Sequence, residues 1–464
     1  MLISRIVDEV PDYRYFKSVE ELNEDSFMLA RRMPDLVTLR KIGRSRNGED
    51  IILLQIGKGS KEALLFACPH PNEPVGAMML TYLSERLAED KALRDMFDFR
   101  WNIIKCIDPD GTRLNEPWFK GPFTIGNFAA DYYRPATYEQ VEWTFPVDYK
   151  TLKFDAPLPE TRALMDIIVE LKPDFMYSLH NSGFGGAFFY LSSAEEELSA
   201  LLHDIVKRRN IPLHLGEAEA PFIKKFADAV FKIPTIRENY DFIADNMGLD
   251  PAGVINMGAS SYEFLMEHNK DAFALICEVP CFYDHKIEDQ TVMDMTRREV
   301  LLKSVAISSE IINRTEGILE KAEPFFLKTQ SPYLKAARQL ILMYKNNNRA
   351  RALWAEKNPE MEAKATVAQY FDSITCFEFY HLIIIGMLIR HLDSEMEDTL
   401  QGEEVLKQLK EARDLLSAYF QELNDRLEKE LEYQQIPIKK LVEIQLESAL
   451  RIMQKINKLD KNKQ

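Results

Sequence analysis

The chain has 464 residues, of which 46% are hydrophobic and 28% charged, and its formal net charge is -16. This length predicts two domains, and the composition is that of a globular protein rather than a disordered one. The acidic excess lies upstream of Lys321, in a part with 36 basic and 52 acidic residues. From Lys321 onward the numbers of basic and acidic residues are equal. Nucleic acids and anionic membranes bind basic patches, so we expect neither as a main partner.

The distribution of cysteines and apolar residues predicts a cytoplasmic location. The five cysteines are scattered and form no disulfide framework. The first residues lack the unbroken apolar core and the small-residue cleavage site of a signal peptide. The longest apolar run, residues 382–389, is too short to cross a bilayer and predicts a buried helix.

Between about residues 35 and 320, short apolar runs rich in β-forming residues alternate with helical patterns. The predicted strands are Ile51–Ile56, Ala63–Cys68, Trp101–Ile107, Phe175–Leu179, Ala187–Leu191 and Ala272–Cys277. The predicted helices between them are Val75–Leu87, Glu160–Leu171 and Glu195–Arg208. This alternation predicts an α/β fold with a mixed, mostly parallel sheet flanked by helices. Such folds place their sites at the carboxyl ends of the strands.

From Met293 onward the pattern is helical throughout. We therefore divide the chain into a catalytic domain, residues 1–322, and an all-α accessory domain, residues 323–464. The accessory domain is expected to supply no metal ligand, and an oligomer would form through it. Its His381 and His391 lie in a strongly apolar helical stretch, which favours a structural role.

Two histidines and a glutamate follow apolar strands. His70 and Glu73 are three positions apart in a turn bracketed by prolines, which restrict the turn already in the unfolded chain. His180 ends the strand Phe175–Leu179. Each signal alone is common, but two histidines and one glutamate are a known catalytic zinc set that leaves a fourth position to water. The sequence therefore predicts one zinc ion per chain, bound by His70, Glu73 and His180.

A further carboxylate, that of Glu278, emerges from the apolar strand Ala272–Cys277. A glutamate in such a place is costly to bury unless it is paired or takes part in chemistry. Cys277 and Cys281 flank it, and small apolar cysteines are common in core strands. Glu278 is therefore a candidate functional residue.

Several segments between about residues 35 and 320 match the motifs of a known family. They are Gly43-Arg-Ser-Arg-Asn-Gly48, His70-Pro-Asn-Glu73-Pro-Val-Gly, Asp108-Pro-Asp-Gly111, Pro159-Glu-Thr-Arg-Ala-Leu164, His180 and Glu278. In their order and spacing these segments resemble the zinc carboxypeptidases, in particular their bacterial branch. In one motif, Asp108 stands where that family has asparagine.

This resemblance implies a zinc-dependent hydrolase that cleaves a peptide or amide bond with a water molecule activated by the metal. Glu278 would be the general base that later gives the proton to the leaving amine. A cation should stabilise the oxyanion, and Arg134 lies at about the family's spacing, with Arg113 as the second choice. The resemblance favours a metallocarboxypeptidase acting on a peptide or acyl-amino-acid substrate.

The family's Asp-x-Asn-Arg motif is altered to Asp148-Tyr-Lys150-Thr in this chain. Asp148 would still orient His70 through its other ring nitrogen. Lys150 is closest by sequence to the arginine that grips the substrate's terminal carboxylate, but lysine cannot form the bidentate fork. Lys153 and Arg113 remain as alternative receptors.

The family's substrate-side tyrosine also has no direct counterpart. Asn256 lies near its position, and Tyr262 or Tyr240 could substitute for it. Together these departures leave two other functions open. One is a deacylase or amidase acting on small acylated amino acids or cell-wall fragments. The other is a catalytically silent binding protein of the same fold, against which the presence of all four central residues weighs.

Overall fold

The computed structural model describes residues 2–193, 196–246, 250–397 and 402–463. Its strands are β1 Val37–Arg44, β2 Asp50–Ile56, β3 Lys61–Ala67, β4 Phe99–Ile104, β5 Val147–Tyr149, β6 Leu152–Phe154, β7 Phe175–Phe184, β8 Phe188–Leu191, β9 Lys225–Ala227, β10 Val230–Lys232, β11 Phe273–Tyr283, β12 Val292–Thr296, β13 Lys364–Thr366 and β14 Gln434–Gln435. Its α-helices are α1 Leu2–Asp8, α2 Val19–Arg32, α3 Val75–Glu89, α4 Lys91–Met96, α5 Pro109–Phe119, α6 Ile125–Asp131, α7 Pro159–Leu171, α8 Glu196–Lys207, α9 Ile236–Asn246, α10 Pro251–Val254, α11 Ser261–His268, α12 Arg297–Ala322, α13 Pro332–Lys357, α14 Val367–Phe371, α15 Phe377–Met396, α16 Glu403–Glu430 and α17 Ile438–Lys463. The predicted start of α8, Glu195, lies outside the described residues.

A ten-stranded mixed sheet organises the described part of the chain. Its order is β1-β2-β4-β3-β7-β11-β8-β10-β9, and β14 pairs with β11. The central strands β4, β3, β7 and β11 run parallel, whereas β1, β2, β8 and β9 add antiparallel pairs at the flanks. The predicted fold, a mixed and mostly parallel sheet flanked by helices, is confirmed.

Two central strands are longer than the sequence predicts. The predicted strands end at Leu179 and Cys277, but β7 continues to Phe184 and β11 to Tyr283. They extend because the two strands pair in one parallel register along their whole length. In this register the Cα atoms of Glu278 and His180 are direct partners. The sheet itself therefore places the candidate base beside the candidate ligand.

Each face of the sheet is covered by its own hydrophobic cluster. Along β7, the side chains of Tyr177 and Leu179 belong to one cluster, while that of Met176 belongs to the other. This alternation follows from the two-residue period of a strand. The Met176 side is covered by α7, α9 and α11, whereas α3, α8 and α17 cover the opposite side. The sheet is thus the middle layer of an α/β/α sandwich.

The helical region after residue 322 shares a core with the sheet. Leu382, Leu427 and Ile452 belong to the same buried cluster as Tyr177 of the sheet. Helix α17 packs against α3 and β11. The division at residue 322 stays a prediction, and the shared core leads us to expect that both parts unfold together.

The prediction that everything after Met293 is helical is wrong in detail. Strand β13 pairs with β12 in a two-stranded sheet, and β14 pairs with β11. Each is only two or three residues long, so neither shows the periodicity by which a strand is predicted. The helical character of the region is otherwise confirmed.

The stretch Val367–Met396 is long and apolar enough to cross a membrane by length and composition, the one such helix among the described residues. Its mean hydropathy is 1.5, and 78% of its most apolar window is buried inside the protein. Core helices share these properties, and residues 382–388 are buried, as the apolar run predicted.

His381 should make the folded protein sensitive to acid. Its ring nitrogens lie 2.7 Å from Ser308 Oγ and 2.7 Å from the Phe377 carbonyl, and burial lowers its pKa from 6.5 to about 4. The unfolded chain therefore binds the proton first, and stability is lost as the pH falls from 6.5 toward about 4. We expect a loss of about 2 kcal/mol from this group at about pH 5.

Urea unfolding of wild type and His381→Gln at about pH 7 and about pH 5 measures this loss. The variant should lose less stability between the two pH values. The control is His285→Gln, since the His285 side chain is 65% exposed. Equal acid sensitivity of wild type and His381→Gln would contradict the prediction.

Candidate metal centre

The loop after β3 carries His70 and Glu73. Directly after the strand, Cys68 has a φ of 55°, in the left-handed region, which turns the chain out of the sheet. The Glu73 amide donates to the His70 carbonyl at 3.1 Å. At the end of the loop, the amide of Val75 donates to Asn181 Oδ1 at 3.1 Å, so α3 begins where β7 holds it. The loop is therefore fixed at both ends.

The Asp108-to-Gly111 turn supports this loop from the side. Asp108 caps α5 by accepting from the Gly111 amide at 3.0 Å, and its two oxygens lie 3.2 Å from Arg46 Nη2. A Cβ at Gly111 would lie 2.6 Å from Pro71 Cγ. Such a distance is too short for two carbons, so glycine is required where the turn touches the loop.

His70, Glu73 and His180 converge in one buried cluster. One ligand atom from each lies within 4.8 Å of the others, and each residue is at most 5% exposed. His180 Nδ1 is 2.9 Å from Glu73 Oε2, and the centroids of the two imidazole rings are 4.8 Å apart. The structure thus brings together the three predicted ligands.

The hydrogen bonds of this cluster fit a bound cation. His180 Nε2 is 2.8 Å from Ser178 Oγ, and its Nδ1 is directed at Glu73 Oε2. Two lone pairs 2.9 Å apart repel each other unless a cation or a proton lies between them. Burial lowers the pKa of His70 well below its usual value, so that ring stays neutral, as a metal ligand must be. Zinc bonds of about 2.0–2.2 Å suit this set of two nitrogens and one oxygen.

Glu278 faces this cluster from the adjacent strand. Its Oε1 is 3.8 Å from His180 Nδ1, and among the described residues its carboxylate accepts no hydrogen bond. Burial, and then the negative charge of Glu73, raise the pKa of Glu278 to about 8. A carboxyl group with its pKa near neutrality is suited to accept and return a proton.

Arg134 supplies the positive charge at the cluster. Its Nη1 donates to Glu73 Oε1 at 3.0 Å, and its Nη2 lies 2.6 Å from His70 Nδ1. Gln140 Oε1 accepts from its Nε at 3.2 Å and helps to orient the guanidinium. The Arg134 side chain is 28% exposed, so this cation can be approached from solvent.

Comparison with known proteins agrees with this geometry. Residues 26–210 match the zinc carboxypeptidase family model. This match supports the family resemblance and includes His70, Glu73, Arg134 and His180. Glu278 lies beyond it, so its assignment depends on its position beside His180 in the sheet.

Solved structures of metallocarboxypeptidases are similar to part of the chain. Carboxypeptidase A from Helicoverpa armigera is 17% identical, with 60% of this chain and 70% of that chain covered at a TM-score of 0.40. The metallo-carboxypeptidase from Burkholderia cenocepacia is 17% identical, with 59% and 61% covered at a TM-score of 0.33. Bovine thrombin-activatable fibrinolysis inhibitor is 14% identical, with 57% and 86% covered at a TM-score of 0.37.

Asp148 does not orient His70, contrary to the sequence prediction. It lies in the β5–β6 hairpin, its side chain is 73% exposed, and it pairs with Lys153 at 3.2 Å. His70 Nε2 is buried and has no hydrogen-bond partner within the described residues. The prediction fails because this hairpin directs Asp148 into solvent.

The cations predicted to bind a terminal carboxylate are engaged elsewhere. Lys150 is 52% exposed and pairs with Asp241 at 2.5 Å. Arg113 pairs with Glu20 and with Glu49, the latter at 3.3 Å. Neither pairing includes a carboxylate of the metal cluster, so the structure does not bring these two residues together with the predicted ligands.

The two predicted substrate-contact residues differ in their surroundings. Asn256 is exposed, and its Oδ1 accepts from Thr137 Oγ1 at 3.0 Å, three positions after Arg134. Tyr262 is 8% exposed and belongs to the cluster on the Met176 face of the sheet. Asn256 is therefore connected to the segment that carries Arg134, whereas Tyr262 packs in the core.

Sequence reasoning missed four side chains that contact the metal cluster or its supports. Asn181 Oδ1 holds the start of α3, and the Asn181 amide lies 3.4 Å from Glu73 Oε2. Gln445 Nε2 donates to the His180 carbonyl at 2.7 Å, across 265 positions. Glu142 contacts Ser178, which in turn contacts His180. Only Asn181 carries a sequence signal, since it follows His180 directly.

Proposed function

We propose that this protein is a zinc-dependent hydrolase of the metallocarboxypeptidase type. The observation that supports it most is the convergence of five predicted groups at one point of the sheet. These groups are the ligand atoms of His70, Glu73 and His180, the carboxylate of Glu278 and the guanidinium of Arg134. A match to the zinc carboxypeptidase family over residues 26–210 supports the same conclusion.

Each of these groups has a defined task in hydrolysing an amide. His70, Glu73 and His180 would hold zinc, which when bound acts as a Lewis acid and lowers the pKa of water. Glu278 takes a proton from the attacking water and passes it to the leaving amine. Arg134 presents a fixed positive charge toward the carbonyl oxygen, where negative charge develops.

Metal analysis together with a substrate screen tests the proposal. The purified full chain should contain about one zinc ion, since three ligands leave a position for water. The screen should include free peptides, peptides amidated at the carboxyl terminus, and N-acyl amino acids. Hydrolysis that needs zinc and is removed by a chelator is the expected result. A protein that holds no metal after zinc is added back would contradict it.

One observation favours the second candidate, an amidase or deacylase on small acylated substrates. A carboxypeptidase needs a cation for the terminal carboxylate, but Lys150 and Arg113 are already paired with Asp241, Glu20 and Glu49. Preference for free over amidated peptides would support the carboxypeptidase, and equal cleavage of both would support the amidase.

Lys150→Ala separates these two enzymes further. Because Lys150 is half exposed and paired with Asp241, we expect its removal to change KM less than about threefold for both free and amidated substrates. A receptor for the terminal carboxylate would instead show an effect above about tenfold, restricted to the free substrate. Steady-state kinetics with both substrates distinguishes the two enzymes. Lys225→Ala is the matched control, since Lys225 is 56% exposed and pairs with Asp228 at 2.6 Å. A selective tenfold rise in KM would contradict the expectation.

A further inference from the structure

The imidazole of His180 is supported from behind by a chain of hydrogen bonds that ends at Glu142. His180 Nε2 lies 2.8 Å from Ser178 Oγ, and Ser178 Oγ donates to Glu142 Oε2 at 3.2 Å. The other carboxylate oxygen, Oε1, accepts from the Ser261 amide at 3.0 Å and from Ser261 Oγ at 2.7 Å. Three different parts of the chain therefore meet behind the metal cluster.

The residues that form these hydrogen bonds are buried. Glu142, Ser178 and Ser261 are each at most 2% exposed, so water does not compete for their hydrogen bonds. A carboxylate is costly to bury unless donors surround it. Glu142 receives three such donors, including the amide of Ser261, the first residue of α11, where the helix dipole favours negative charge.

The carboxylate of Glu142 determines which group donates in each hydrogen bond between His180, Ser178 and Glu142. An ionised carboxylate can only accept, so the Ser178 hydroxyl gives its single proton to Glu142. Ser178 Oγ must then accept from His180, which places the ring proton on Nε2. Nδ1, 2.9 Å from Glu73 Oε2 inside the metal cluster, is then the ring nitrogen that would bind the metal.

We propose that Glu142 is a positioning residue that, through Ser178, fixes the tautomer and orientation of His180 for metal binding at Nδ1. This inference rests on the proposed function, since the metal is the zinc of the proposed hydrolase. The sequence had assigned a comparable task to Asp148 at the other histidine. In the structure, a buried carboxylate performs it for His180, one serine away from the ring.

Glu142→Gln tests the inference with almost no change in shape. The two donors of Ser261 keep the amide oxygen at their side, so the amide nitrogen faces Ser178. That nitrogen donates, which obliges Ser178 to give its proton to His180 Nε2 and moves the ring proton to Nδ1. Zinc affinity, measured by competition with a chelator, should fall by about 10–100-fold. Nitrogen-15 NMR of the zinc-loaded protein should show a proton on His180 Nε2 in wild type and a changed Nε2 resonance in Glu142→Gln.

Two further variants separate this role from a general loss of folding. Ser178→Ala removes the link and should weaken zinc binding as well, while the double variant should be no weaker than Ser178→Ala alone. The control is Thr144→Val, two positions from Glu142, because within the described ranges its hydroxyl contacts only Thr161 and backbone carbonyls. It should bind zinc like wild type.

The outcomes distinguish this inference from the proposed function. A wild-type protein without zinc affinity would contradict the proposed function and, with it, this inference. Wild-type zinc affinity with an unchanged His180 Nε2 resonance in Glu142→Gln would overturn the inference alone. Equal weakening by Thr144→Val would also overturn it, since the effect would then be a general one on this segment.

Discussion

Replacing Glu278 with glutamine is expected to lower kcat/KM by a factor of about 10²–10⁴ while zinc remains bound. The side chain lies 3.8 Å from His180 Nδ1, and its carboxylate accepts no hydrogen bond from the described residues. Glutamine has nearly the same shape but cannot take a proton from water.

Steady-state kinetics and zinc content, measured on the same preparations, check this prediction. Glu278→Asp is the matched variant, because it keeps a carboxylate but shortens its reach, and it should retain more activity than the glutamine variant. Near-normal turnover by a zinc-loaded Glu278→Gln would show that another group is the base.

The second large effect is expected from the ligands. His70→Ala and His180→Ala should each abolish stoichiometric zinc binding and all detectable hydrolysis, because two remaining ligands do not hold catalytic zinc against buffer. His70 and His180 are each at most 5% exposed. A histidine on the surface therefore cannot reach the cluster to replace either of them.

Elemental analysis of the folded variants measures this effect, with circular dichroism as the check on folding. His285→Ala is the control, since that side chain is 65% exposed and lies beside Glu288. A folded His180→Ala that still carries one zinc ion per chain would show that the ligand set is wrong.

The central part of the fold could be predicted because its signals are local. A run of apolar residues predicts a strand, and a polar residue at its end predicts a site. His70, Glu73, His180 and Glu278 could be proposed in this way, and the structure brings the four side chains together. The ends of β7 and β11 were not, because their extension depends on pairing between residues about 100 positions apart.

The supporting contacts could not be predicted for the same physical reason. Glu142 and Ser178 are 36 positions apart, and Gln445 reaches the His180 carbonyl across 265 positions. Asp148 failed as a prediction because a two-residue turn between β5 and β6 decides which way its side chain points. Sequence spacing carries no information on that direction.

The contact between Gln445 and His180 has a consequence for the time at which the site is completed. The side-chain amide of Gln445 donates to the His180 backbone carbonyl at 2.7 Å, and the backbone carbonyl of Gln445 accepts from the Tyr177 hydroxyl at 3.3 Å. At about 5–20 residues per second, a ribosome needs roughly 13–50 seconds to add the 265 positions that separate the two partners. The strand that carries His180 therefore leaves the ribosome well before the helix that braces it. We expect the proposed metal site to lack this support until helix α17 has been made.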